Sequence, residues 1–111
     1  MNVDTLWANR PTLVWEDRLN EGDDVYTLSA ILAVDAALKR YITVLTRSDG
    51  SEDSVLAAVR DLVLRLNELD EEHDYFIETL EREELYEFIV AGAALVGYET
   101  DEDITEEWRE W

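Results

Sequence analysis

The sequence predicts an all-α fold: a compact helical bundle of three main helices plus a short C-terminal amphipathic helix, behind an irregular N-terminal segment. Three observations predict it. Apolar residues recur at three- and four-residue steps through several stretches, the signature of one helix face. Turn and capping residues, notably Arg47–Gly50 and Gly97, fall between those stretches. The one β-prone run, Thr12 to Trp15, has no second strand to pair with.

Residues 1–24 are the least regular. Asp4 to Ala8 can make one helical turn, which Pro11 breaks because proline lacks the N–H a helix interior needs. Thr12 to Trp15 is read as an extended segment that packs Leu13 and Trp15 on the core. Asn20 to Asp24 is a turn built on Gly22.

The first main helix is expected from Tyr26 to Thr46, with Asp23 and Asp24 near its positive end. Leu28, Ile31, Leu32, Leu38, Ile42 and Leu45 form its apolar stripe, widened by Val34, Ala37, Tyr41 and Val44. Arg47-Ser48-Asp49-Gly50 is a turn, and Ser51 caps a second helix reaching Leu69. Val55, Val59, Leu62, Leu66 and Leu69 give that helix its core face. Two such helices joined by a short turn pack as an antiparallel hairpin.

Asp70 to Asp74 is expected to be a solvated break, and Tyr75, Phe76 and Ile77 to anchor the chain on the hairpin. Thr79 can cap a third helix whose face is Leu85, Phe88, Ile89, Gly92, Leu95 and Val96. A mid-helix glycine costs about 1 kcal/mol against alanine, so Gly92 points to a close helix crossing. Gly97 ends the helix in a left-handed cap. Asp103 and Glu106 have capping-box spacing, and Ile104, Trp108 and Trp111 share one face of a short last helix.

The 111 residues form a single domain, 1–111, long enough for one core. With 47% hydrophobic residues, four Trp, five Tyr and two Phe, the chain is too apolar for a disordered acidic tail. Without cysteine it makes neither disulfides nor thiolate zinc sites. Met1 to Arg10 has no signal-peptide pattern, and no run approaches a membrane span, so a cytoplasmic protein is expected.

Charge is the most informative property. The formal net charge is −19, and 17 of the 28 acidic residues follow Asn67, where only Arg82 and Arg109 are basic. A folded surface of one sign selects partners of the other. Bare nucleic acid and anionic membranes, both negative, are disfavoured.

No catalytic, cofactor or metal site is expected. Asp49-Gly50-Ser51-Glu52-Asp53 opens like a calcium loop, but Ser54 and Arg60 stand where glycine and a bidentate glutamate are required. His73, the only histidine, has acidic neighbours but no second imidazole or thiol. Adjacent acids such as Glu83/Glu84 are expected by composition alone, and no serine lies in a nucleophile motif.

The expected activity is therefore binding. Glu71, Glu72, Asp74, Glu81, Glu84, Asp101, Asp103, Glu106 and Glu107 are candidates to steer a basic protein, with Tyr75 and Trp108 as anchors. Such a module inhibits or neutralises a nucleic-acid-binding or nuclease protein, in the manner of immunity proteins and DNA mimics, by presenting carboxylates at DNA-like density. The alternative is a non-catalytic structural domain whose acidity is a salt adaptation, self-associating through apolar surface on the first two main helices. Composition leaves monomer and homodimer equally open.

Overall fold

Asn2, Thr27 and Ser51 each place a side-chain oxygen on the backbone N–H three residues ahead, at 2.8, 3.1 and 3.2 Å, and each starts a helix. The computed structural model describes residues 2–111. Among these residues there are five helices, α1 (Val3–Ala8), α2 (Pro11–Asn20), α3 (Leu28–Arg47), α4 (Glu52–Glu72) and α5 (Thr79–Leu95), and no strand. The helical bundle and its three main helices, α3 to α5, stand as the sequence predicts.

The N-terminal segment is more regular than expected. Pro11 does end α1, but it then occupies the first position of α2, where its missing N–H costs nothing and its fixed φ suits a helix. Thr12 to Trp15 is therefore helical and not extended. Thr12, Trp15 and Leu19 turn inward at helical spacing, while Leu13 and Val14 face solvent. The β-propensity of the run loses to the burial of Trp15, which is 0% exposed. Its ring stacks on Tyr26 at 5.8 Å and meets Phe76 edge-on at 5.8 Å.

α3 is the central helix and packs on α2, α4 and α5. Its core row is Ile31, Val34, Leu38, Tyr41 and Leu45. Leu28 and Leu32, expected in that row, point away from it and are exposed. At 100° per residue they sit about 100–140° from the row's centre. Gly92 lets α5 approach α3, as its position in the apolar face predicts. A β-carbon there would lie 2.9 Å from Tyr41 Cε2 and 3.2 Å from Leu45 Cδ1. Tyr41 in turn donates its hydroxyl to the Ile89 carbonyl at 2.7 Å, and burial pushes its phenol well up. Truncating a fully buried side chain such as Leu38, Leu66 or Ile89 costs about 2–5 kcal/mol.

Three helix boundaries differ from expectation. α3 is capped by Thr27 and begins at Leu28, not at Tyr26, which instead packs on Trp15. α5 begins after Glu78 and not after Thr79, because the Glu81 carboxylate accepts the Glu78 N–H at 3.1 Å. α4 continues to Glu72, and Asp70 is buried instead of solvated. One Asp70 oxygen accepts the Ile77 N–H at 2.9 Å and returns the chain to the core, where Phe76 and Ile77 are buried as expected. Among the described residues no helix is long and apolar enough to cross a membrane.

Candidate functional site

Past α5 the chain reverses. Gly97 takes a φ of +94°, its N–H bonds the Ala94 carbonyl and the Tyr98 N–H bonds the Ala93 carbonyl, both at 3.0 Å, a complete Schellman motif. This end of α5 sits on the α3–α4 turn: a β-carbon on Gly50 would meet the Val96 carbonyl at 3.1 Å. Beside the start of α4, partial burial and the carboxylates of Glu52 and Glu102 push the Tyr98 phenol up. Ten residues later the chain reaches the fifth turn of α4. There Asn67 donates its side-chain amide to the Trp108 carbonyl at 2.8 Å and accepts the Glu110 N–H at 3.0 Å. Residues 98–111 thus form a strap laid along α4.

The strap is a chain of turns and not the expected amphipathic helix. Asp103 accepts the Thr105 N–H at 2.9 Å, and the Arg109 N–H bonds the Thr105 carbonyl at 3.0 Å, so one helical turn forms. Asn67 then takes the backbone groups on which a further turn would build. A run this short does not hold a helix alone. The expected face survives in part: Ile104 is buried, and Trp108 and Trp111 are half-buried against the core. The Trp111 indole N–H is enclosed with no acceptor.

Within the strap, Arg109 bonds Asp103 at 2.8 Å. Burial pushes the Asp103 carboxyl up, but hydrogen bonds from Thr105 and the Arg109 charge outweigh it and hold the group below its ordinary value.

The candidate residues separate into distinct places. Glu71 lies one turn beyond Asn67 on α4, about 6 Å along the axis, so it shares the side on which Asn67 holds the strap. Glu106 and Glu107, both exposed, directly precede the bonded Trp108. These three and Glu110 belong to the two segments that meet at Asn67. Glu72 follows Glu68 by one turn and falls toward the α3 side. Asp101 is exposed next to Glu102, at the Glu52 end of α4.

Asp74 and Tyr75 form the turn after α4, both left-handed with φ of 64° and 57°. Such conformations are costly without glycine, and Tyr75 is nonetheless 66% exposed. The Tyr75 N–H closes the end of α4 by bonding the Asp70 carbonyl at 2.7 Å.

Glu81 and Glu84 do not belong to the surface site. Glu81 is buried and accepts the Tyr26 hydroxyl at 2.6 Å. Glu84 takes both guanidinium nitrogens of Arg18 at 2.8 Å and the Trp15 indole N–H at 3.1 Å. The Glu84 hydrogen bonds raise the Arg18 pKa, and desolvation aided by Glu81 lifts Tyr26 to about 12. This network ties α2 to α5 with its members satisfied, which is a structural task. Asp103 is likewise occupied by Arg109.

Of the carboxylates after Asn67, only Glu68, Glu81, Glu84 and Asp103 have ion-pair partners among the described residues. The remaining thirteen have no ion-pair partner among the described residues, and twelve of them, all but the buried Asp70, are not buried. Arg60 pairs with its neighbour Asp61 and Arg65 with Glu68, both loosely at 3.4 Å.

Two other sequence motifs are structural. Asp49 accepts the Ser51 N–H at 2.9 Å and Ser51 caps α4, a turn that holds the Asp49 carboxylate below its ordinary value. His73 ends α4 and packs edge-on against Phe76 at 6.3 Å. Among the described residues no three His, Asp or Glu side chains come together to hold a metal ion. No protein-family model, curated protein or solved structure matches the chain.

Asn67 is the residue that sequence reasoning missed. A lone amide on the polar flank of a helix carries no periodic signal, and only its separation from the strap by some forty positions gives it meaning.

Proposed function

We propose that the protein binds a cationic protein, of the nuclease or nucleic-acid-binding kind, through the strap and the end of α4. The observation that supports this is the Asn67 clamp, which joins the segment carrying Glu106, Glu107 and Glu110 to the end of α4 that carries Glu71, with none of the four in an ion pair among the described residues. A backbone held in place before binding leaves only side chains to order when they meet guanidinium and ammonium groups, so the cost of association falls. Tyr75 and the exposed part of Trp108 supply aromatic surface at the margins for arginine stacking. An inhibitor of this type covers a site that ordinarily accepts phosphates.

The test is co-purification from native lysate at low salt, with Glu71→Lys/Glu106→Lys/Glu107→Lys as the comparison. A nuclease or DNA-binding protein retained by the wild type, released by salt and lost in the triple variant supports the proposal. Retention that ignores salt and charge reversal removes it.

One observation favours a second reading, a structural domain with a salt-adapted surface. Acidic side chains are also exposed on α2 and the loop after it, at Glu16, Asp17, Glu21, Asp23 and Asp24. On that reading stability rises with salt and no cationic partner is retained.

A further inference from the structure

A groove of about 500 Å³ runs between α3 and α4, on the flank of α4 turned away from Asn67. Its walls are small and apolar, with Ala33, Ala36 and Ala37 on α3, and its rim carries Val44 and Leu64, 40% and 43% exposed. Four charged residues line it: Arg40 and Arg65 against Asp61 and Glu68. On a chain of net charge −19 this lining is formally neutral.

We infer that this face receives a second copy of the chain, related by a two-fold axis, so that the two α3–α4 hairpins form a four-helix bundle. Charge decides the occupant. Two copies this acidic repel each other through their carboxylate-rich surfaces, and a neutral apolar face is where that repulsion is least. A two-fold interface brings a patch against itself, which requires both signs within one patch. Arg40 and Arg65 beside Asp61 and Glu68 meet that requirement. A cationic protein, by contrast, would meet two arginines there. Helices of 20 and 21 residues offer a seam of about 30 Å. The strap lies on the other flank of α4, so the acidic surface stays open in the pair.

Sedimentation velocity from about 1 to about 200 µM tests this, across a range in which a moderate dimer dissociates. Twice the chain mass is expected at the top of the range. Added salt screens the long-range repulsion and tightens the dimer, opposite to its effect on a cationic partner. Arg40→Glu with Arg65→Glu weakens the dimer by about tenfold or more, and adding Asp61→Arg and Glu68→Arg restores it. Leu64→Glu, at an exposed position, also leaves monomers. Circular dichroism verifies that each variant is folded.

A single chain mass throughout, including a monomer whose groove takes another protein instead, overturns the inference. So does a dimer indifferent to both the charge reversal and Leu64→Glu. Either result leaves the cationic-partner proposal standing, because that proposal is read on the strap variants.

Discussion

Asn67 and Trp108, 41 positions apart, are joined by a 2.8 Å hydrogen bond from the Asn67 side-chain amide to the Trp108 carbonyl. The same side chain accepts the Glu110 N–H, so one residue fixes the strap by two backbone contacts. Asn67→Ala is expected to cost about 1–2 kcal/mol in urea unfolding, the net worth of two partly exposed bonds. Hydrogen exchange over residues 104–111 should quicken more than over α3. Unchanged protection there would mean that Asn67 does not hold the strap.

Tyr75 sits at φ 57° with most of its surface in water. Glycine adopts that conformation freely, so Tyr75→Gly should stabilise the fold by about 1 kcal/mol. If the tyrosine is kept for contact with a partner, the same variant binds a cationic protein less well. Stability and affinity moving in opposite directions, by thermal melt and titration calorimetry, is the expected pattern. A variant gaining stability with undiminished affinity would exclude Tyr75 from the interface.

At the α3–α5 crossing, Gly92→Ala sets helix propensity against space. Propensity gains about 1 kcal/mol, whereas forcing a methyl 2.9 Å from the buried Tyr41 ring costs about 1–3 kcal/mol. A net loss near 1 kcal/mol is expected by denaturant unfolding, and Gly92→Leu should be far worse. A gain from Gly92→Ala would show that Tyr41 yields easily.

Arg18→Met leaves Glu84 and Glu81 without their cation in a site where Arg18 and Glu84 are only a fifth to a quarter exposed. The expected loss is about 2 kcal/mol, below the figure for a sealed pair because solvent still reaches these groups. Adding Glu84→Leu should recover part of it. An additive loss in the double variant would mean that the pair is not coupled.

Two aspartates predict opposite pH behaviour. Asp103 is held below its ordinary value of 3.8, so its contribution is present above that pH and lost as pH falls through the folded value. Asp103→Asn should destabilise at pH 7, and the gap to wild type should close in strong acid. Asp70 is raised, chiefly by burial, against the Ile77 N–H that favours its charge. Its contribution is complete below 3.8 and lost as pH rises through the folded value. Asp70→Asn keeps an acceptor for Ile77 and removes the buried charge, so it should raise the melting temperature at pH 7 by about 2–4 °C. That advantage should vanish below pH 3.8. Melting curves at the two pH values check both signs.

Much of the bundle was legible because its apolar spacing is local. Val55, Val59, Leu62, Leu66 and Leu69 name the core face of α4 without any tertiary knowledge. Gly92 and Gly97 announce a crossing and a stop for reasons of size and φ. Thr12 to Trp15 was not legible, since β-propensity and the helix start at Pro11 compete there and Trp15 burial decides. Nor were the roles of Glu81 and Glu84, because their partners Arg18 and Tyr26 lie 55 to 66 positions away. In the candidate site, the acid-rich composition was visible, but the meeting of the strap with the end of α4 depends on a single asparagine.

The four indoles are distributed so that the protein reports on itself. Trp15 is sealed in the core, Trp7 lies under the Arg10 guanidinium at 4.1 Å, and Trp108 and Trp111 both ride on the strap. Emission that shifts to the red before Trp15 is exposed therefore signals the strap lifting from α4 ahead of global melting. With Trp7 replaced by phenylalanine, native fluorescence alone can follow docking at this edge in real time, without an attached dye.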